Sequence, residues 1–387
     1  MAIAPHLLEQ PPAGLTGLTD GELAEVIELN PLPTERGFSY QEEGSRSVPW
    51  RLAQTIGHAA ASARTFAWEM VVPSCDIEIR QIAAPHKGHD DLYLVTEPDP
   101  ASGVNPAEAD NIVIDLGLTE FADVGSGPGL HKAFAKRNPD SRIITIVDDT
   151  MSRAGQTAPA SKAGARWLEA TAADKLKTLP WLTRDGILKL VGVSKGSVEM
   201  TLLDGLNLAA NPKDQLKVEK LILLSAAVFA CNIDASENFR GAIDERELLQ
   251  QGDRSFKRHL LPNALHMTRR HPASMLAAAP ILGEYLAYPE KLLSRKRATE
   301  ADYRAVKAGV DIRTLKAIRD DHGFLVVLAE LDPLTEHQKP QWEYLDATSP
   351  EADHVQVRIV PDEGHLWTAN GDKAADEVAQ MELNQTA

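Results

Sequence analysis

The chain has 387 residues and a formal net charge of −16, with 43% hydrophobic and 25% charged residues. That length allows one large domain or two to three small ones, and the composition excludes a disordered or collagen-like chain. So large an acidic excess repels phosphate backbones and anionic lipid heads, which argues against nucleic-acid and membrane-surface partners.

Cys75 and Cys231 are the two cysteines. They are too few for a disulfide framework or a four-ligand zinc site, and read as buried thiols of a reducing, cytoplasmic compartment. The opening residues show no basic region followed by an apolar core, so no secretory signal is expected. The longest apolar run, Leu221–Cys231, falls well short of the ~18 residues that span a bilayer and suits a buried strand.

Residues 1–70 read as a helical N-terminal extension. Thr19 and Glu22 have capping-box spacing before Leu23, Val26, Ile27 and Leu29, and Pro31 and Pro33 stop that helix. A second, Ala-rich helical stretch runs from about Trp50 to Met70. The pattern changes at residue 75. Strands are expected at Cys75–Ile82, Leu92–Thr96, Asn111–Leu116, Arg142–Val147, Ile187–Val193, Leu221–Phe229, Phe324–Ala329 and Val355–Val360. Helical spacing lies between the later ones, at Leu130–Arg137, Ala172–Leu182 and Ser197–Ala210. Apolar strands alternating with amphipathic helices predict an α/β fold, a mainly parallel doubly wound sheet covered on both faces. Residues 236–318 break the alternation. They read as helices at Arg246–Gln250, Phe256–Arg269, Ala273–Leu286 and Ala301–Asp320, a cap inserted between the sixth and seventh strands. The divisions are then 1–70, 71–235, 236–318 and 319–387.

The segment that carries chemistry is Gly192-Val193-Ser194-Lys195-Gly196, a G-x-S-x-G that follows an apolar strand and precedes a helix. A nucleophile elbow needs that context: a sharp strand-to-helix turn lifts the serine hydroxyl to the sheet's carboxyl edge, and the flanking glycines let the turn close. The helix N-terminus beside it offers free N–H groups to an oxyanion. A hydroxyl needs a base to become a nucleophile. Downstream, Phe324–Ala329 runs into Glu330-Leu331-Asp332, and Val355–Val360 runs into Gly364-His365. Both lie just past strand ends, where a parallel sheet presents its ligands.

Serine, acid and histidine in that order make the chain resemble the α/β-hydrolase superfamily over roughly residues 75–387. The resemblance implies Ser194 as nucleophile, Asp332 as orienting acid and His365 as base. Ala329-Glu330-Leu331-Asp332 is close to the family's Gly-Glu-x-Asp, with Ala in place of Gly. It also implies an oxyanion hole made by the backbone N–H of Lys195 and by one from the loop after Asn111–Leu116. There Leu116-Gly117-Leu118 stands where many members carry His-Gly-x, which makes Leu118 the second donor. Glu330 and Asp234 compete with Asp332 for the acid, and His131 and His322 with His365 for the base. The Lys195 side chain reads as solvated or touching the cap, with attraction of an anionic substrate as the alternative. Some acyl-CoA thioesterases and some secreted aminopeptidases of the superfamily share Ser-Lys-Gly at the elbow.

Two readings compete. Asp123-Val-Gly-Ser-Gly-Pro-Gly129, followed by a helical stretch and a strand ending at Asp148, is similar to the first motif of S-adenosylmethionine-dependent methyltransferases. Its preceding strand is mixed in character, and it leaves the serine elbow and the Gly-His strand unexplained. A hydrolase-fold binding protein without catalysis is the other. The expected chemistry is acyl transfer to water by a serine esterase, with thioesterase, lactonase, amidase or peptidase behind it, and it needs no cofactor and no metal. Apolar cap residues such as Phe256, Leu260, Met275 and Leu282 favour a small-molecule substrate with an apolar acyl or alcohol group. Residues 1–70 either close the pocket or make a homodimer contact.

Overall fold

A computed structural model describes residues 80–83, 92–116, 126–147, 161–183, 185–226, 228–229, 269, 310–332, 338–348 and 354–385. Eight strands form one sheet: β1 (Arg80–Ala83), β2 (Leu92–Thr96), β3 (Asn111–Asp115), β4 (Arg142–Val147), β5 (Leu188–Val193), β6 (Val218–Leu224), β7 (Phe324–Ala329) and β8 (Val355–Val360). Their order across the sheet is β1-β2-β4-β3-β5-β6-β7-β8. β2 runs antiparallel to β1 and to β4, and every pairing from β4 to β8 is parallel. The fold is therefore α/β with a mainly parallel sheet, in the arrangement that the resemblance implies.

Among the described residues the α-helices are α1 (Ser126–Arg137), α2 (Ser161–Leu182), α3 (Lys195–Ala209), α4 (Ile312–Asp321), α5 (Lys339–Ala347) and α6 (Gly371–Gln385). The two-residue period of the strands divides the core between the faces of the sheet. Ile112, Ile114, Ile222 and Leu325 belong to the layer with Leu130 and Phe134 of α1 and Val378 and Met381 of α6. Val113, Leu221, Leu223 and Val326 belong to the opposite layer, with Leu176 and Leu179 of α2, Leu202 and Leu206 of α3, and Leu315 and Ile318 of α4. Strands so placed are buried on both sides, which is why they read as unbroken apolar runs.

Two local differences from the sequence reading have physical causes. The sixth strand ends at Leu224 instead of Phe229, because Ser225 takes φ 48° and turns the chain out of the ladder. Phe229 returns only as an isolated parallel bridge to Val310. The boundary at 318 falls inside α4, and α4 packs on the sheet's own helix α3: a methyl group on Gly205 of α3 would collide with the Thr314 side chain. The remaining helices expected in the cap, the extension 1–70, Cys75 and Cys231 lie outside the described residues. Among the described residues no helix is long and apolar enough to cross a membrane.

Candidate active site

Ser194 stands between β5 and α3, as the residue that caps the helix. Its backbone is at φ 54°, ψ −115°, a region a non-glycine residue enters at a strain of about 1–3 kcal/mol. The turn that enforces it is backbone packed on backbone. A Cβ at Gly192 would lie 2.5 Å from the Ser197 Cα, and one at Gly196 would collide with the carbonyl oxygen of Asp115. The Ser194 N–H donates to Leu224 O at 2.9 Å, and the Ser197 hydroxyl donates to Gly192 O at 3.0 Å, closing the turn from both sides.

The serine, the histidine and the acid come together at the carboxyl edge of the sheet, past the ends of β5, β8 and β7. Ser194 Oγ lies 2.8 Å from His365 Nε2. His365 Nδ1 lies 2.7 Å from Asp332 Oδ2, across 33 residues of chain. With Nδ1 protonated, it donates to the carboxylate, and Nε2 accepts the Ser194 hydroxyl. The Asp332 side chain is fully buried, and that of His365 is 12% exposed. Burial opposes a charge on His365. The field of the Asp332 carboxylate and the hydrogen bond to it outweigh that, so the imidazole pKa stands above its ordinary 6.5.

Two loops hold this geometry. Glu330, one of the alternative acids, is exposed and accepts the Asp362 N–H at 2.8 Å, while the Leu331 N–H donates to Glu363 O at 2.8 Å. Glu330 thereby laces the acid's loop to the histidine's loop. Ser225 does the same from β6. Its hydroxyl donates to His365 O at 3.3 Å and accepts the Trp367 indole N–H at 2.9 Å. The sequence reading missed Ser225; nothing in a run of apolar residues marks a serine with positive φ.

The alternative bases have other partners. His131 is fully buried, between the hydroxyls of Thr96 and Thr145 at 2.8 Å each, and burial pushes its pKa down to about 3. His322 precedes β7, at the opposite edge of the sheet from His365, and its Nε2 lies 2.7 Å from Asp204. Asp234 and Leu118 lie outside the described residues.

Lys195 is 4% exposed, so its side chain is not solvated, and its ammonium lies 2.9 Å from the Glu199 carboxylate one turn along α3. The remaining helices of the expected cap, the other contact expected for it, lie outside the described residues. Its main-chain N–H heads the helix, among the first-turn donors that have no partner within a helix. Of the rival glycine motif, residues 126–129 form the first turn of α1; Asp123 and Asp148 lie outside the described residues. Among the described residues no group of three or more His, Cys, Asp or Glu could hold a metal ion.

No protein-family model and no curated protein sequence matches the chain. Solved structures do resemble it at low identity. A carboxylesterase from the thaumarchaeon Nitrososphaera gargenis is 9% identical at TM-score 0.48, covering 79% of this chain and 98% of its own. The naproxen esterase of Bacillus subtilis is 10% identical at TM-score 0.45, covering 84% and 98%. An esterase from Pyrobaculum calidifontis is 12% identical at TM-score 0.44, covering 85% and 93%. At these values the fold assignment rests on the strand order and the strand–turn–helix elbow of this chain itself.

Proposed function

We propose that this chain, an α/β-hydrolase by fold, is a serine hydrolase that cleaves a carboxylic ester through an acyl-enzyme. The observation that carries the reading is the hydrogen-bonded line from Ser194 through His365 to Asp332, with the serine on a strained strand-to-helix turn. That combination meets the geometric requirement for an activated nucleophile: base on nucleophile, third group on base.

The chemistry follows from the atoms. His365 Nε2 takes the Ser194 proton as Oγ attacks the ester carbonyl carbon. Asp332 keeps Nδ1 protonated, so Nε2 faces the serine, and it stabilises the imidazolium. The negative charge that develops on the carbonyl oxygen is met by the Lys195 N–H, with Leu118 as the second donor. The tetrahedral intermediate collapses, the C–O bond to the alcohol breaks, and His365 returns the proton to the leaving oxygen. Water then repeats the sequence on the acyl-enzyme, releasing the acid and free Ser194. The substrate we propose is a small molecule with an apolar acyl or alcohol group, on the apolar content of residues 236–318. Metal and cofactor have no part in this reaction.

Labelling with a fluorophosphonate probe, read by intact mass and peptide mapping, tests the reading, with p-nitrophenyl butyrate as a turnover substrate. One adduct on Ser194, lost in Ser194→Ala together with turnover, is the expected result. A folded protein that takes no label and turns over no ester, thioester or lactone overturns it. Binding of S-adenosylmethionine by that same protein would replace it with the methyltransferase.

A further inference from the structure

Four ionisable side chains form a connected cluster beneath the elbow. The Lys175 ammonium, from α2, donates to Asp115 Oδ2 at 2.6 Å and also to Glu199 Oε2. The other Glu199 oxygen lies 2.9 Å from the Lys195 ammonium. The side chains of Lys175 and Glu199 are 0% exposed, that of Asp115 is 1% and that of Lys195 is 4%. Within this set two lysines face two carboxylates, and every one of the four charged groups is withdrawn from solvent. Replacing such a set with apolar side chains is often neutral or stabilising, so stability is a weak account of why charges occupy this place.

Their location gives a better account. Asp115 is the last residue of β3, immediately before the segment read as the second oxyanion donor. Lys195 and Glu199 sit on the first turns of α3, and the Lys195 N–H is read as the first donor. The two pieces touch through backbone, since Gly196 packs so close on the Asp115 carbonyl that no Cβ fits. Lys175 is the link between them: one ammonium holds a carboxylate from the strand and a carboxylate from the helix.

We propose that the Asp115–Lys175–Glu199–Lys195 cluster is a positioning device for the oxyanion hole, fixing the end of β3 against the first turn of α3. The inference rests on the reading of Ser194 as nucleophile. Ion pairs and charged hydrogen bonds hold a geometry within tenths of an ångström, and a misplacement of about 1 Å at a reacting centre costs about a hundredfold in rate. Apolar packing at the same place would fill the space without that directionality.

The test is the double variant Asp115→Asn with Lys175→Met. It removes one charge of each sign, keeps the Lys195–Glu199 pair and cuts the link between strand and helix. Active sites are counted by fluorophosphonate labelling, and kcat, KM and the labelling rate are then measured, with melting temperature alongside. We expect kcat per active site and the labelling rate to fall together by about ten- to a hundredfold, with KM changed by less than about threefold. A role in stability alone would lower the melting temperature and leave kcat per site unchanged. A folded double variant that keeps both rates within about twofold of wild type, or that changes KM alone, overturns the proposal. If the double variant does not fold, Glu199→Gln takes its place, isosteric and one charge short, and an unchanged kcat there overturns it equally. Wild-type protein that takes no label defeats the Ser194 reading first; a labelled wild type with unaffected variants defeats this inference alone.

Discussion

The Ser225 hydroxyl donates to the main-chain carbonyl of His365 at 3.3 Å, so the end of β6 holds the loop that carries the histidine. The same oxygen accepts the buried indole N–H of Trp367 at 2.9 Å. Ser225→Ala deletes that acceptor and strands the indole donor in the core, at a cost of about 1–3 kcal/mol. Urea denaturation should show the loss. Ser225→Gly relieves the strain of φ 48° and lacks the hydroxyl as well. Both variants should lower kcat more than they raise KM. Unchanged stability and kcat in the alanine variant would remove Ser225 from any part in holding the loop.

On the proposed mechanism, the direction of the His365 pKa shift fixes the sign of the pH dependence of the activity. The imidazole must be neutral to act as base, and Asp332 holds its folded pKa above 6.5 against the effect of burial. The rate kcat/KM should therefore rise with pH through a midpoint above 6.5. Stability runs the other way: the folded pKa exceeds the unfolded one, so the contribution of His365 is complete below about 6.5 and is lost as pH rises through the folded value. Asp332→Asn removes the upward pull and leaves burial acting alone, so the midpoint should move down as kcat falls about 10⁴-fold. A pH–rate profile of both proteins checks this, and a midpoint that stays put in the variant would count against Asp332 as the partner of the base.

At the elbow the flanking glycines are required by space. Gly192→Ala puts a methyl 2.5 Å from the Ser197 Cα, and Gly196→Ala drives one into the Asp115 carbonyl. Neither obstacle is a side-chain tip that can swing away. Each variant should lose about 3 kcal/mol of stability and most of its Ser194 labelling. Gly129, whose Cβ would meet nothing within 4 Å, supplies the contrast. Thermal denaturation of the three alanine variants should separate Gly129 from the other two.

His131 should make the protein sensitive to acid. Its folded pKa of about 3 lies below the ordinary 6.5, because burial between Thr96 and Thr145 disfavours the charge. Between those values the unfolded chain binds a proton that the folded one does not. Stability then falls as pH drops below 6.5, by up to about 1.4 kcal/mol per pH unit from this residue alone. His131→Gln should flatten the dependence of the melting temperature on pH between 6 and 4. An unaltered slope would place the acid sensitivity elsewhere.

Much of this architecture is legible in one dimension. The strands Leu92–Thr96, Arg142–Val147, Phe324–Ala329 and Val355–Val360 have in the structure the bounds that their apolar runs predict. Phe324–Ala329, buried on both faces, has no polar alternation to blur it, whereas Val355–Val360 interleaves Gln356 and Arg358 at partly exposed positions and is marked by its β-branched residues. The elbow is legible too, because glycine at both flanks of Ser194 is a local steric need that the local sequence records. Glu330 shows the limit: two carboxylates two residues apart look alike in sequence, and only the course of the loop buries Asp332 under His365 while turning Glu330 onto the Asp362 N–H.

What the sequence by itself determined is the set of strands, the turn at Ser194 and the chain order of serine, acid and histidine, because each depends on neighbours within a few residues. Tertiary structure alone decided which distant groups share a hydrogen bond. Ser194 and His365 are 171 residues apart, Ser225 and Trp367 142, and Lys175 and Asp115 60. The Lys195–Glu199 pair has helical spacing that the sequence displays, but not the burial that turns a surface pair into part of a cluster. That burial depends on how α2, α3 and β3 stack. Stacking is a sum over the whole core, and no local pattern contains it.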